Sequence, residues 1–441
     1  MKAPFSSFEE LEGYFSSIAS PGIRPGLERI EMLLESLGRP QDRFPAVHIV
    51  GTNGKGSTAA FAESVLRSSG YRTALYTSPH LESPAERLQI AGKTLSLKDW
   101  SRAALTAGEA LSSTPPLREN PPTFFEIVTA AAFLLCEEKK IDIAVVEAGL
   151  GGRLDATNLL GRVVLTLIAS ISIDHSEFLG NSIESIAAEK FAVMRPSIPA
   201  WFSGSPPELI PLFLETAEKI GALPHVVPLE HTPSDVSLSE EGVRFALTLF
   251  GREVPFSPSL AGAYQVENAL LAISGTLSLK DSFPGITLGS LQEGIARARW
   301  PGRFEILRKD PPLILDGGHN PEGIRRLVET VRGLYGDRKL AIVFAAMKDK
   351  EYFQSLSLLK SIGSALHCTA VPGHDRAAPP SLLAEAARTA GWPEKQIREF
   401  SDPFAALEAA EQTGEGVLCC GSLYLVGFLR ERLRRERGEA L

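Results

Sequence analysis

Gly51-Thr52-Asn53-Gly54-Lys55-Gly56-Ser57-Thr58 gathers three glycines, a lysine and three hydroxyls into eight residues. The stretch directly follows the apolar run Ala46-Val47-His48-Ile49-Val50 and leads into a helix-favouring segment, Thr58 to Ser69. Glycines let the backbone curl so that several N–H groups point inward, the helix N-terminus adds positive dipole, and Lys55 adds a full charge. Such a cradle suits a nucleotide triphosphate, with Ser57 or Thr58 offering a hydroxyl to Mg²⁺. The spacing departs from the common G-x-x-x-x-G-K-[ST]. Ile49 holds the place of the first glycine, Gly51 stands four residues before Lys55, and Gly56 separates the lysine from the hydroxyl. The bland alternative is an ordinary glycine-rich turn between strand and helix.

Other residues could join that chemistry. Glu147 ends a buried strand-like run, where a carboxylate is costly unless a cation meets it. Mg²⁺ is the expected partner and an arginine the alternative. Gly149-Leu150-Gly151 invites a dinucleotide reading, but Leu154 stands where the third glycine of G-x-G-x-x-G belongs, so that reading is weak. Asp174-His175 follows the next apolar run, and His175 reads equally as a surface residue or as a ligand at the same sheet edge as Glu147. Lys190 is either a solvated helix residue or a partly buried amine near the metals. In Asp316-Gly317-Gly318-His319-Asn320-Pro321, Asn320 and Pro321 are explained as a helix cap and first-turn residue. Asp316 and His319 have no such structural reason and are candidates to face the nucleotide. Arg303 could bring a guanidinium to phosphate, and Ser422 offers a hydroxyl that reads equally as a helix cap.

The elements that must position these groups alternate as strand and helix, the pattern of a parallel α/β sheet. In the first part the strands are Ala46–Val50, Arg72–Tyr76, Ile141–Glu147 and Val163–Ile168. Its helices are Thr58–Ser69, Phe124–Glu138, Ile183–Val193 and Tyr264–Thr276. The stretch from about Pro206 to Pro258 reads as a small β-rich elaboration. The pattern restarts with strands Leu313–Asp316, Leu340–Phe344 and Val417–Cys420 and helices Pro321–Leu334, Pro380–Thr389 and Leu423–Arg435. Proline and glycine in Arg297–Arg303 place a hinge there. The expected architecture is a doubly wound, mainly parallel domain over 1–297 and a smaller Rossmann-like α/β domain over 298–441. Ligands then gather at strand carboxyl ends and in the cleft between domains.

The 441 residues exceed one ordinary core, and 44% hydrophobic with 22% charged residues is a globular balance. A net charge of −8 argues against nucleic acid. No stretch nears the roughly 20 apolar residues that span a bilayer. The N-terminal sequence lacks an apolar signal core, and the four cysteines form no C-x-x-C. A reducing, cytoplasmic location without zinc is expected.

Taken in order, GTNGKGS, Thr77-Ser78-Pro79-His80-Leu81, the twelve residues EAGLGGRLDATN from Glu147 to Asn158, Asp174-His175, Glu189-Lys190, Gln265 to Asn268, Pro301-Gly302-Arg303, Asp316 to Pro321 and Gly421 to Leu425 form a series. It resembles the folylpolyglutamate synthase/dihydrofolate synthase family, a branch of the Mur ligase superfamily, from about Gly26 to Gly427. The resemblance implies an ATP-dependent amide ligase that phosphorylates a pteroate or folate carboxylate and transfers it to L-glutamate. It implies that Gly51 to Thr58 wrap the triphosphate, that one Mg²⁺ lies near Ser57, and that a second is held by Ser78, Glu147 and His175. It makes Lys190 a carbamylated lysine, puts Asn268 near the adenine, completes the nucleotide site with Arg303 and Asp316, and gives His319 and Ser422 the γ-phosphate and glutamate end.

A pterin's amino-oxo edge presents two parallel N–H donors that suit one carboxylate. Asp155, flanked by Leu154 and Ala156, matches that family position. Thr123-Phe124-Phe125-Glu126 matches a segment whose aromatics can cover the ring, one of the two also reading as helix core. Gly22-Ile23-Arg24-Pro25 is a third candidate. His80 resembles enzymes accepting dihydropteroate and favours a bifunctional enzyme. Two departures touch local geometry: Phe191-Ala192-Val193 follows Lys190 where Ala-Gly-Ile is usual, and Gly318 replaces an alanine. A monomer with small-molecule partners is expected. A monofunctional folylpolyglutamate synthase, a cell-wall Mur ligase and a P-loop switch are the competing readings.

Overall fold

The computed structural model describes residues 4–437. Eight strands build the first sheet: β1 (Ala46–Val50), β2 (Thr73–Tyr76), β3 (Leu88–Ile90), β4 (Lys93–Thr94), β5 (Ile143–Glu147), β6 (Val163–Ile168), β7 (Pro199–Phe202) and β8 (Leu223–Val226). Their order is β4-β3-β2-β5-β1-β6-β7-β8. Pairings β2–β3 and β3–β4 are antiparallel and the rest parallel. β1 and β5 are buried along their whole length, as central strands covered on both faces must be. In register, Ile49 stands beside Glu147 on one side and Leu167 on the other, so the loops after β5, β1 and β6 emerge side by side.

Helix Tyr264–Ser278 lies on one face of this sheet, where a Cβ on Gly275 would be 2.3 Å from Leu167 Cδ2. The other face is covered by helix Phe124–Glu138 and its neighbours and, beside them, by a cluster holding Phe191, Phe202 and Phe213. Those three rings pack pairwise at 5.4–5.5 Å between centroids, a spacing at which edge-to-face contact is favourable. Helix Lys55–Ser68 is gripped from outside by helix Leu288–Arg297. A Cβ on Gly294 would lie 2.4 Å from the Val65 Cα, and Ser64 Oγ donates to the Gly294 carbonyl at 2.7 Å. Only glycine permits that approach, which fixes the helix whose N-terminus faces the first glycine-rich loop.

Residues 206–258 match the small β-rich elaboration expected only in their later part. Helix Ile210–Ile220 comes first, burying Phe213 and Ala217 at helical spacing, and edge strand β8 follows. Only then come β9 (Ser234–Ser239), β10 (Gly242–Leu249) and β11 (Arg252–Phe256), in the order β11-β10-β9.

A second sheet holds β12 (Glu305–Lys309), β13 (Pro312–Leu315), β14 (Leu340–Phe344), β15 (Gly363–Thr369), β16 (Ile397–Phe400) and β17 (Val417–Cys420), ordered β12-β13-β17-β14-β15-β16. Only β12 runs antiparallel to its neighbour. The chain divides into two compact units. The first runs up to Ser234 and adds Ala246–Phe256 and Glu267–Ala298; the second comprises Asp235–Phe245, Ser257–Val266 and the chain from Arg299 on. Two short segments assigned by sequence to the first domain thus belong with the second, where Tyr335 donates to Glu240 at 2.9 Å and Arg299 to Ser259 at 2.6 Å. All four cysteines are buried free thiols. No described helix is long and apolar enough to cross a membrane.

Candidate active site

The loop after β1 is shaped by two glycines in left-handed backbone, Gly51 at φ 148° and Gly54 at φ 85°. A Cβ on Gly51 would stand 2.8 Å from Ala169 Cβ, and one on Gly54 would stand 2.3 Å from the Asn268 amide oxygen. Asn268, named from the sequence at 214 positions' remove, is thereby brought against the loop. Helix Lys55–Ser68 begins three residues earlier than expected, with Gly54 as its cap. The open N–H groups of the first turn therefore belong to the residues around Lys55, Gly56 and Ser57. The preceding amides are engaged elsewhere: Thr52 N and Asn53 N both donate to the Ser170 carbonyl, at 2.8 and 3.2 Å. Thr52 Oγ1 and Asn53 Nδ2 also bond Ser172, at 3.0 and 3.1 Å. The loop is thus braced by the segment after β6. Ser57 is buried, and the buried Thr58 Oγ1 has no hydrogen-bond partner, so the helix start keeps an unspent hydroxyl.

Two lysines converge on one oxygen. Lys55 Nζ donates to the carbonyls of Gly51 at 3.2 Å and Thr52 at 3.0 Å. Lys190 Nζ, buried at the end of helix Ile183–Phe191, donates to the same Gly51 carbonyl at 2.9 Å and to Gly151 at 3.4 Å. Burial, and then the charge of Lys55, lower the Lys190 amine to about 7. The solvated-lysine reading fails, and the buried amine stands in its place. Gly152 permits this, because a Cβ there would lie 2.6 Å from the Glu189 carbonyl and 3.1 Å from the Lys190 Cα. Arg153 clamps the same contact, bonding Glu189 through its backbone at 2.8 Å and its side chain at 2.8 Å.

Glu147, buried at the end of β5, accepts from the Ser78 N–H at 3.3 Å. His175 caps the short helix Ser176–Leu179 with a left-handed φ of 53°. No three His, Cys, Asp or Glu side chains among the described residues form a ready metal cluster. The candidate donors Ser57, Ser78, Glu147 and His175 are mostly oxygen groups, a set that would suit Mg²⁺.

The expected pterin residues divide. Asp155 is turned into its own loop: it accepts from Leu150 N at 2.8 Å and Thr157 N at 2.9 Å, and from Thr157 Oγ1 at 2.6 Å. Thr157 Oγ1 in turn meets His48 Nε2 at 2.9 Å. The carboxylate braces the loop carrying Leu154 and Ala156. Leu154 is exposed and Ala156 buried. Thr123 and Glu126 form a capping box, and Glu126 also pairs with buried Arg29 at 2.9 Å. Arg29 donates to the Arg24 carbonyl at 2.5 Å, and Arg24 to Asn120 at 2.8 Å, which tethers Gly22–Pro25 to that helix start. Phe124 and Phe125 are both half-buried against the core; Phe125 lies over Gly149, where a Cβ would be 2.6 Å from its ring. Arg87 Nε donates to His80 Nδ1 at 3.1 Å, so neutral His80 carries its proton on Nε2. Replacing Arg29 by Met strands the buried Glu126 carboxylate. About 3–5 kcal/mol of stability should be lost, read by urea unfolding.

In the second unit, buried Asp316 accepts from Gly318 N at 2.7 Å, Phe304 N at 2.8 Å and Tyr264 Oη at 3.2 Å. Burial raises its carboxyl despite nearby Arg303. Tyr264 carried no functional signal in the sequence. Phe304 holds a left-handed φ of 45°, the kind of strain that persists where surroundings over-determine it. A Cβ on Gly317 would lie 2.0 Å from an Arg303 guanidinium nitrogen. His319 Nδ1 meets the Gly317 carbonyl at 3.0 Å, and Asn320 caps its helix as expected, at 2.8 Å from Gly323 N. Ser422 takes the cap position of helix Leu423–Glu436 without a side-chain cap bond.

A phosphate-type loop on a parallel sheet, with a second α/β unit in the chain, is the arrangement of a nucleotide-binding enzyme. The Mur ligase middle domain matches residues 49–275 and the Mur ligase glutamate ligase domain residues 302–423. The Bacillus subtilis dihydrofolate synthase/folylpolyglutamate synthase is 32% identical over 440 residues, covering 98% of this chain and all of its own. The Mycobacterium tuberculosis folylpolyglutamate synthase complexed with ADP superposes with a TM-score of 0.89 at 28% identity, covering 96% of this chain and 98% of that one. Escherichia coli FolC in complex with DHPP and ADP gives a TM-score of 0.84 at 28% identity, covering 98% and 99%. The chain belongs to the Mur ligase family, in its dihydrofolate synthase/folylpolyglutamate synthase branch. It is an ATP-dependent ligase.

Proposed function

We propose that this enzyme activates the carboxylate of dihydropteroate, and that of reduced folates, as an acyl phosphate and joins it to L-glutamate. The observation that carries the reading is the convergence of Lys55 and buried Lys190 on the Gly51 carbonyl. A nucleotide switch needs the first lysine but has no use for a second, buried one. When ATP binds, Lys55 leaves its carbonyl partners for the phosphates, and the first-turn N–H groups bind phosphate oxygens. Ser57 would hold one Mg²⁺ and Ser78, Glu147 and His175 a second, and when bound they would neutralise charge on the transferring phosphoryl group.

The γ-phosphoryl passes to a carboxylate oxygen and ADP leaves. The amine of L-glutamate attacks the acyl carbon, the C–O bond to phosphate breaks, and the amine gives up a proton. A Lys190 amine with a sizeable neutral fraction near pH 7 also suits carbamylation: its nitrogen bonds to CO₂, releases a proton and becomes an anion that can orient metal. Arg303 and His319 are assigned to the phosphoryl group, Ser422 to glutamate, and Asn268 to the adenine side. Asp316 acts as a positioning residue for the Arg303-Phe304 backbone. Localisation in the cytoplasm and a monomeric state complete the proposal.

Dihydropteroate labelled with ¹⁸O in its carboxylate tests the mechanism. Transfer of one labelled oxygen to inorganic phosphate is expected; label retained wholly in the amide and unreacted acid would refute the acyl phosphate.

A further inference from the structure

Ile173 and Phe178 are large apolar side chains left in solvent, with 55% and 39% of their surface exposed. Neither belongs to a core cluster, whereas neighbouring Leu179 turns inward. Both sit on the segment after β6, Phe178 in its short helix Ser176–Leu179, and three observations place that segment at the reacting end of the first unit. Ser172, the residue before Ile173, is bonded to Thr52 Oγ1 at 3.0 Å and to Asn53 Nδ2 at 3.1 Å. β6 is the direct neighbour of β1 in the sheet. On the far side the loop touches the Glu147–Asn158 segment, since a Cβ on Gly151 would be 2.9 Å from Leu179 Cδ2. That segment carries Leu154, which is also exposed at 36%.

The two proposed acceptors differ at this place. In dihydropteroate the carboxylate that takes the phosphoryl group is bonded directly to an aromatic ring. In a folate it terminates a flexible, polar glutamyl side chain, and the ring lies a residue further away. An apolar surface braced against the phosphate loop therefore has a partner in the first acceptor and none in the second. We infer that Ile173 and Phe178 form the rest for the aryl ring of an aromatic carboxylate, and so set the enzyme's use of dihydropteroate relative to glutamyl-chain acceptors. The inference rests on the proposed ligase reaction.

The test uses the full-length enzyme and the variants Phe178→Ala, Ile173→Ser and Phe178→Leu, with steady-state ligation of dihydropteroate and of tetrahydrofolate at saturating ATP and L-glutamate. Loss of one buried aromatic or branched contact predicts a tenfold or greater rise in the dihydropteroate KM for the first two variants. The tetrahydrofolate and ATP KM values should move less than about threefold. Phe178→Leu, which keeps an apolar surface, should recover most of the loss. Because both side chains are exposed, thermal melting points should stay close to wild type. Equal rises for both acceptors, no rise for dihydropteroate, or a changed oligomeric state as the main effect overturns the inference. A wild-type enzyme that ligates neither acceptor overturns the ligase reading itself, which is a different result.

Discussion

Lys190→Met should yield a protein that is more stable than wild type and ligates at about a hundredth of its rate or less. The stability gain follows from burial. Met fills the same channel without a charge, whereas the lysine must give up water and face Lys55 across one carbonyl oxygen. The pH dependence has a definite sign. The unfolded chain holds the Lys190 proton up to about 10.5, while the folded protein releases it at about 7. The unfolded state therefore binds more protons between those values, and this group makes wild type more stable as pH rises through that window. The advantage of the variant is full below pH 7 and vanishes toward pH 10.5, so melting temperatures measured across pH should converge at the alkaline end. The loss of rate follows from the assigned role. Removing a preorganised charged group from a phosphoryl-transfer site costs about 10²–10³ in kcat. A short carboxylic acid supplied in solution should return part of the activity if a carbamate is the working form. Full activity in Lys190→Met would remove this lysine from the reaction.

Gly51→Ala is the second large effect, and it strikes binding and folding together. At φ 148° the backbone is in a region that side chains rarely occupy, and the new methyl would meet Ala169 Cβ at 2.8 Å and its backbone at 3.2 Å. Neither neighbour is a flexible tip, so the loop has to shift. Backbone strain plus overpacking predicts a loss of about 2–4 kcal/mol. The Gly51 carbonyl would move away from both lysines, and ADP affinity should fall about 100-fold or more. Calorimetric melting with and without ADP separates the effects. Saturating nucleotide at 100 times Kd should stabilise wild type by about 2.7 kcal/mol, and the same concentration should leave the variant almost unmoved.

The sequence carried the positions of these groups better than their partners. β1, β14, β17 and helix Phe124–Glu138 fall at the bounds expected from their residues, because turn residues bracket each apolar run. β7 and β8 were missed: each has four residues, each contains a proline, and neither alternates. Burial of Glu147 was foreseeable from a charge at the end of an apolar run, whereas Lys190 stood open between a solvated and a partly buried place and Asp316 carried no sign of burial. What satisfies such buried groups was not foreseeable. Arg29 reaches Glu126 across 97 positions and Tyr264 reaches Asp316 across 52, and no local pattern encodes such a pairing. Asp155 has partners that its sequence position did not announce: its loop supplies donors through Leu150 and Thr157, so this acid also holds its own loop in shape. Ile173 and Phe178 gave no signal at all, since an apolar residue in a loop looks like any other until its exposure is seen.

ADP release tests the central claim most directly. Purified enzyme with Mg²⁺ and ATP is given dihydropteroate or tetrahydrofolate, each with and without L-glutamate, and ADP is measured against the glutamylated product. Release that requires both acceptor and L-glutamate, at one ADP per amide bond, is the predicted result. ATP turnover indifferent to every pteroyl compound, or proceeding without amide formation, would contradict it.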